Sequence, residues 1–159
     1  MLQMEIPIET VTYAAEVAHR HGVRVILDPA PPAPLDDSLL KILDVITPNE
    51  HEASFLTGRK VFDRASATLA ASDFLEKGVR AAVVKLGAQG LAYCDAASSG
   101  FIEGHKVKTV DTTAAGDTFS GALAVALCEG QSLFSACKFA NAAAALSVTR
   151  HGAQDSMPD

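Results

Sequence analysis

Asp111-Thr112-Thr113-Ala114-Ala115-Gly116-Asp117-Thr118-Phe119-Ser120-Gly121-Ala122 joins the segment Val107–Val110 to an Ala-rich stretch, Ala115–Cys128. The first reads as a strand and the second as a helix. Small residues at Ala114, Ala115 and Gly116 let backbone approach a ligand closely. At a helix N-terminus the first amides lack intrahelical partners, and the helix dipole favours negative charge. The junction therefore reads as an anion cradle. Asp117 follows in the first helical turn. A carboxylate beside a phosphate cradle makes sense if it takes a proton from a hydroxyl attacking that phosphate. On spacing alone the same residues also fit a tight turn, with Asp117 as an ordinary helix N-cap.

Outward from this junction the chain alternates strands and helices. Leu2–Glu5 reads as a short strand and Ile8–His21 as a helix stopped by Gly22. Val23–Leu27 is an apolar strand. Pro29–Pro34 holds four prolines and cannot be regular structure. Ser38–Leu43 reads as a short helix, Val45–Ile46 as a brief strand, and Glu50–Leu56 and Arg64–Lys77 as helices. Ala81–Lys85 is a buried strand, Gly87–Gly90 a turn, and Leu91–Cys94 a strand leaving it. Ser132–Val148 is a final Ala-rich helix. This order predicts an α/β fold with a parallel-type sheet covered by helices. Ligands in such sheets sit outside the carboxyl ends of the strands. Thr47–Glu52, Gly87–Gly90 and Asp111–Asp117 are each expected to follow a strand and lie there.

The 159 residues suffice for one domain, 1–159. Hydrophobic residues make up 48% and charged residues 20%, a globular balance. A net charge of -6 argues against a nucleic-acid partner, which needs a basic face. No window has the roughly 18 uninterrupted apolar residues of a membrane span. The start MLQMEIPIE lacks a signal peptide's basic region. Cys94, Cys128 and Cys137 form no CxxC and read as thiols in a reducing compartment, which places the protein in the cytoplasm. There is no Walker A pattern and no GxGxxG, which argues against a dinucleotide-binding dehydrogenase. His51-Glu52 does not extend to HExxH, because position 55 is Phe.

The segment DTTAAGDTFSGA resembles the second signature of the PfkB carbohydrate kinases, close to D-T-x-[AG]-A-G-D-x-F-x-[GA]. Other segments follow in the expected order. Thr47-Pro-Asn-Glu-His-Glu52 resembles that family's N-x-x-E motif, and Lys85-Leu-Gly-Ala-Gln-Gly90 its K/T-x-G-x-x-G turn. Phe139–Ala145 resembles the helix beside the adenine, and Asp28-Pro29-Ala30-Pro31 a structural N/D-P-A-P loop. Thr149–Ser156 resembles T-R-x-G-A-Q-x-S, which ribokinases in particular carry, although position 155 is Asp where Pro is frequent. The resemblance covers nearly the whole chain. It implies a ribokinase-like three-layer αβα fold with a mostly parallel sheet, and an ATP-dependent sugar kinase, with D-ribose as the favoured substrate.

The resemblance also implies roles. Asp117 matches the general base, which also binds the sugar, and Ala114, Ala115 and Gly116 match the anion hole. Asn49 and Glu52 match a pair that orders Mg²⁺ and the phosphates through water. The alternative is a Pro48-Asn49 turn with Glu52 on a solvated helix face. Lys85, Leu86, Gly87, Ala88, Gln89 and Gly90 match the loop touching ATP, although a GxxG turn is usually just a hairpin. Asn141 matches a nucleotide contact, or is a polar residue on a helix surface. Asp111, Thr113, Ser147, Arg150, Gly152 and Ser156 match a K⁺ site. Glu5 matches a sugar-contacting glutamate, or is a charged strand end. The family's other half would bring the lid, a Gly-Gly signature and most sugar contacts. The chain is thus expected to be the C-terminal portion of a homodimeric kinase, cut at both ends, prone to association when alone. A truncated, non-catalytic nucleotide-binding module is the competing reading, as is a kinase for another sugar or nucleoside.

Overall fold

The computed structural model describes residues 1–158. They form two compact units: residues 1–86 with 91–101, and residues 87–90 with 102–158.

In the first unit, α1 (Ile8–Arg20) is followed by β1 (Ile26–Leu27), α2 (Asp37–Leu40), β2 (Val45–Ile46), α3 (Glu50–Thr57), α4 (Arg64–Glu76) and β3 (Ala81–Lys85). Then come β4 (Gly90–Asp95) and β5 (Ser99–Glu103). The sheet order is β1-β2-β3-β4-β5. β1 pairs β2 and β2 pairs β3 in parallel, with Ile26 opposite Val45 and Ile46 opposite Ala82. β3 and β4 are antiparallel, with Val83 opposite Tyr93. The sheet is therefore mixed: short connections can join only antiparallel neighbours, and the four residues between β3's end and β4 leave no room for a crossover. Leu27, Leu43, Ile46, Phe74, Ala82 and Val84 form the centre of this unit's apolar core. α4 packs on β3, presenting the fully buried Ala67, Ala70, Ala71 and Phe74. Arg59 makes a bidentate contact with Asp73, at 2.7 and 3.1 Å, beside that helix.

In the second unit, α5 (Ala115–Cys128) and α6 (Leu133–Ser147) pack on each other. Alanines are frequent on both, so the helices bury small side chains such as Ala126, Ala136 and Ala140. Ser132 caps α6 by accepting from the Ser135 amide at 3.3 Å.

Several expectations need correction. Val107–Val110 is not a strand: it is exposed irregular chain, and Val110 donates to the Val148 carbonyl at 2.7 Å rather than to a ladder. The strand in this region is β5. Asp111–Asp117 therefore does not follow a strand directly, whereas Thr47–Glu52 follows β2 and Gly87–Gly90 follows β3. Leu2–Glu5 reduces to one parallel bridge between Leu2 and Leu27, and Val23–Leu27 to the two residues of β1. Val23 and Arg24 are exposed, and pairing with β2 holds only Ile26 and Leu27.

Candidate functional site

At the carboxyl ends of β1, β2 and β3, the chain turns into polar residues that the sheet holds in register. Asn49 forms an isolated parallel bridge with Lys85, and the Lys85 amide donates to the Pro48 carbonyl at 2.8 Å. Asn49 caps α3. Its Oδ1 accepts from the amides of His51 and Glu52 at 2.9 and 3.0 Å. Glu52 closes the capping box: Oε2 accepts from the Asn49 amide at 2.8 Å and Oε1 from Asn49 Nδ2 at 2.7 Å. Glu52 is buried rather than on a solvated helix face. Its carboxyl is raised above the ordinary glutamate value, first by burial; the Asn49 amide and the Lys85 charge oppose that shift.

Lys85 ends β3 and extends Nζ to Asp28 Oδ2, 2.9 Å away. Asp28 follows β1 and is itself buried. Leu86, which follows Lys85, is also buried. Sequence reasoning read Asp28-Pro29 as a loop feature and missed this ion pair. A half-buried lysine at a strand end needs an anion nearby, and that requirement was the available signal. Glu5 lies on exposed chain outside any strand; its neighbour Met4 donates to the Ala30 carbonyl at 2.9 Å.

In the second unit, α5 opens on Ala114, which holds φ 59 and ψ 14 in the left-handed region. A non-glycine residue there costs roughly 1–2 kcal/mol, so the surrounding turn must enforce it. Ala114, not Asp117, is the N-cap, which corrects the ordinary-cap alternative. The Thr118 amide and hydroxyl both go to the Ala114 carbonyl, at 2.9 and 3.0 Å. The Ala115 amide reaches the Thr112 carbonyl at a long 3.3 Å. Among the described residues, the amides of Gly116 and Asp117 have no hydrogen-bond partner preceding the helix. Gly116 and Asp117 are both exposed. The geometry is an N-terminal helical turn with donors and one carboxylate open to solvent.

Asp111 anchors the loop leading to this turn. Its Oδ1 accepts from the Thr113 hydroxyl at 2.7 Å and the Thr113 amide at 2.9 Å. Its Oδ2 accepts from the Gly152 amide at 3.1 Å. These bonds, the Thr113 hydroxyl first, hold its carboxyl down at about 2. Asp111, Thr113 and Gly152 are thus brought together. Ser147 and Ser156 are buried and donate to carbonyls of their own turns, Ala144 and Ala153. Arg150 is exposed, and its amide donates to the Ser147 carbonyl at 3.2 Å.

Gly87–Gln89 is a short 3₁₀ turn whose residues are exposed. Asn141, on α6, is buried instead of lying on a helix surface, and its Nδ2 donates to the Glu103 carbonyl at 2.9 Å.

A ribokinase of Haemophilus influenzae is 48% identical over 158 residues, which is 99% of this chain and 52% of that protein. A ribokinase of Staphylococcus aureus is 43% identical over 98% of this chain and 52% of its own length. The structure of an Arabidopsis thaliana ribokinase complexed with ribose and ATP superposes with a TM-score of 0.89 and 39% identity, covering 99% of this chain and 52% of that one. The chain thus spans about half the length of the relatives it matches. The fold is the ribokinase-like α/β fold expected from the sequence. The sequence pattern described as pfkB family carbohydrate kinase matches residues 1–159; with the DTTAAGD turn folded as a helix N-terminus, the chain belongs to the pfkB family of carbohydrate kinases.

Proposed function

We propose that this chain is the nucleotide-binding and catalytic portion of an ATP-dependent sugar kinase that converts D-ribose and ATP to D-ribose 5-phosphate and ADP. The observation that carries the proposal is the start of α5, where exposed Asp117 stands on the same turn as the unpartnered Gly116 amide. In the reaction, Asp117 takes the proton from the sugar's primary hydroxyl. The hydroxyl oxygen forms a bond to the γ-phosphorus as the bond to the β–γ bridging oxygen breaks, and ADP leaves. The amides of Gly116 and its neighbours Ala114 and Ala115 face the charge building on the transferred group. Because the Ala115 amide leans toward Thr112, Gly116 is the central donor of that hole.

Lys85, Leu86, Gly87, Ala88, Gln89 and Gly90 are proposed to border the nucleotide, and Glu5 the sugar. Mg²⁺ bound with ATP neutralises phosphate charge. The Asn49–Glu52 pair suits its water shell: a carboxylate has about four acceptor positions, and the two bonds from Asn49 leave capacity over. Asp111 stays ionised through the neutral range, so the Asp111–Gly152 loop offers the anionic, hard-oxygen setting that K⁺ prefers; Thr113, Ser147, Arg150 and Ser156 complete the proposed surroundings. We place the protein in the cytoplasm, as a homodimer. Among the described residues no helix is long and apolar enough to cross a membrane.

The test is ADP release by the protein at its native length, with ribose, 2-deoxyribose, fructose and adenosine as acceptors. Ribose is expected to give the highest kcat/KM, with a pentose monophosphate as product by mass spectrometry. Preference for another acceptor would reassign the substrate, and no release with any acceptor would contradict the kinase reading.

A further inference from the structure

The turn Gly87–Gly90 is seated by direct backbone contact with residues 102–104. The Gly104 amide donates to the Gln89 carbonyl at 3.1 Å. A Cβ on Gly104 would stand 2.2 Å from the Ala88 carbonyl oxygen. A Cβ on Gly90, which holds φ +113, would stand 2.0 Å from the Ile102 carbonyl oxygen. Neither contact can be relieved by rotating a side chain, because both obstacles are backbone. Gly87 differs: a Cβ there would meet nothing within 4 Å. The close fit is thus confined to the end of the turn that touches residues 102–104.

That segment is held in turn from α6. Asn141 is 8% exposed, sits among alanines on the helix, and gives its Nδ2 to the Glu103 carbonyl. A buried amide in such a setting is expensive unless it is bonded, so this bond fixes the residue next to Gly104.

We propose that Gly104 and Asn141 are positioning residues for the nucleotide turn: Asn141 holds Glu103, Glu103 seats Gly104, and Gly104 sets the backbone of Ala88–Gly90. This role rests on the kinase reading above, since the ligand of the turn is the nucleotide. It predicts that loosening the clamp weakens ATP binding and leaves phosphoryl transfer intact.

The test uses the protein at its native length with three variants, Gly104→Ala, Asn141→Ala and Asn141→Asp. The last keeps the side chain's size and removes the donor. Binding of ATP with Mg²⁺ is measured by calorimetry, turnover at saturating ATP by ADP release, and backbone exchange at Gly104 by hydrogen–deuterium exchange. Gly104→Ala is expected to raise the ATP dissociation constant about tenfold, and each Asn141 variant several-fold, or roughly 1 kcal/mol. The ATP KM should rise in step, while kcat and the sugar KM stay within about twofold. Exchange at Gly104 should quicken in both Asn141 variants. Should Gly104→Ala fail to fold, the Asn141 pair carries the test, since alanine suits a helix interior. Loss of thermal stability with unchanged ATP affinity would overturn the positioning role, as would a fall in kcat with unchanged ATP KM. A wild-type protein that binds no ATP would remove the kinase reading and this role together, whereas normal wild-type binding matched by the variants removes this role alone.

Discussion

Lys85 Nζ lies 2.9 Å from Asp28 Oδ2, so one ion pair ties the end of β3 to the residue after β1, across the intervening β2. Both side chains are shielded, with 15% and 11% of their surface accessible. The backbone of Lys85 meanwhile bonds Pro48 and bridges Asn49. The three strand ends from which the site is built are therefore cross-linked by a charge pair and a main-chain contact.

Removing one partner of such a pair strands the other charge in a poorly hydrated place. Asp28→Ala should destabilise the protein by about 3 kcal/mol, measured as a lowered urea midpoint. The double variant Asp28→Ala/Lys85→Met should recover a good part of the loss, because no charge is then left buried. Equal losses in the single and double variants would contradict a desolvated pair.

The capping box makes a separate prediction. Asn49→Ala should cost about 1 kcal/mol by removing the cap of α3. Burial raises the Glu52 carboxyl, so the folded chain holds that proton more tightly than the unfolded chain. Its contribution is then complete below the ordinary value of 4.5 and is lost as pH rises through the raised value. Glu52→Gln should flatten the stability profile in that window, read by denaturation from pH 4 upward. An unchanged slope would show that Glu52 titrates normally.

Asp111 titrates in the opposite sense. Its carboxyl is lowered from 3.8 to about 2. Its contribution is therefore present above 3.8 and lost as pH falls toward 2. Asp111→Asn should flatten the acid limb of the stability curve, and Thr113→Val should do so in part, because the Thr113 hydroxyl is the main cause of the shift. An acid limb identical to wild type in both would contradict this anchoring role.

Where local pattern and tertiary contact agree, the sequence was easy to read. Ala81–Lys85 and Ala115–Cys128 match β3 and α5 at both ends, because an unbroken apolar run and a small-residue start are local signals. β5 escaped notice: it opens on Ser99-Gly100, which has little strand propensity, and its place beside β4 comes from pairing. Val107–Val110 misled for the converse reason, since its apolar residues suggest a strand but find no sheet neighbour. In the site, DTTAAGD and the N-x-x-E pair were legible as contiguous motifs. The Asp28–Lys85 pair spans 57 positions, and the fit of Gly104 to the turn depends on two separate backbone segments. Neither leaves a mark that spacing along one chain can show.

The central claim is that Asp117 removes the proton from the attacking hydroxyl. Its most direct test is Asp117→Asn in the protein at its native length, with single-turnover phosphoryl transfer and ATP binding measured side by side. Loss of a general base should lower the transfer rate by about 10²–10⁴-fold, with the ATP dissociation constant within about threefold of wild type. Transfer at the wild-type rate in that variant would contradict the account.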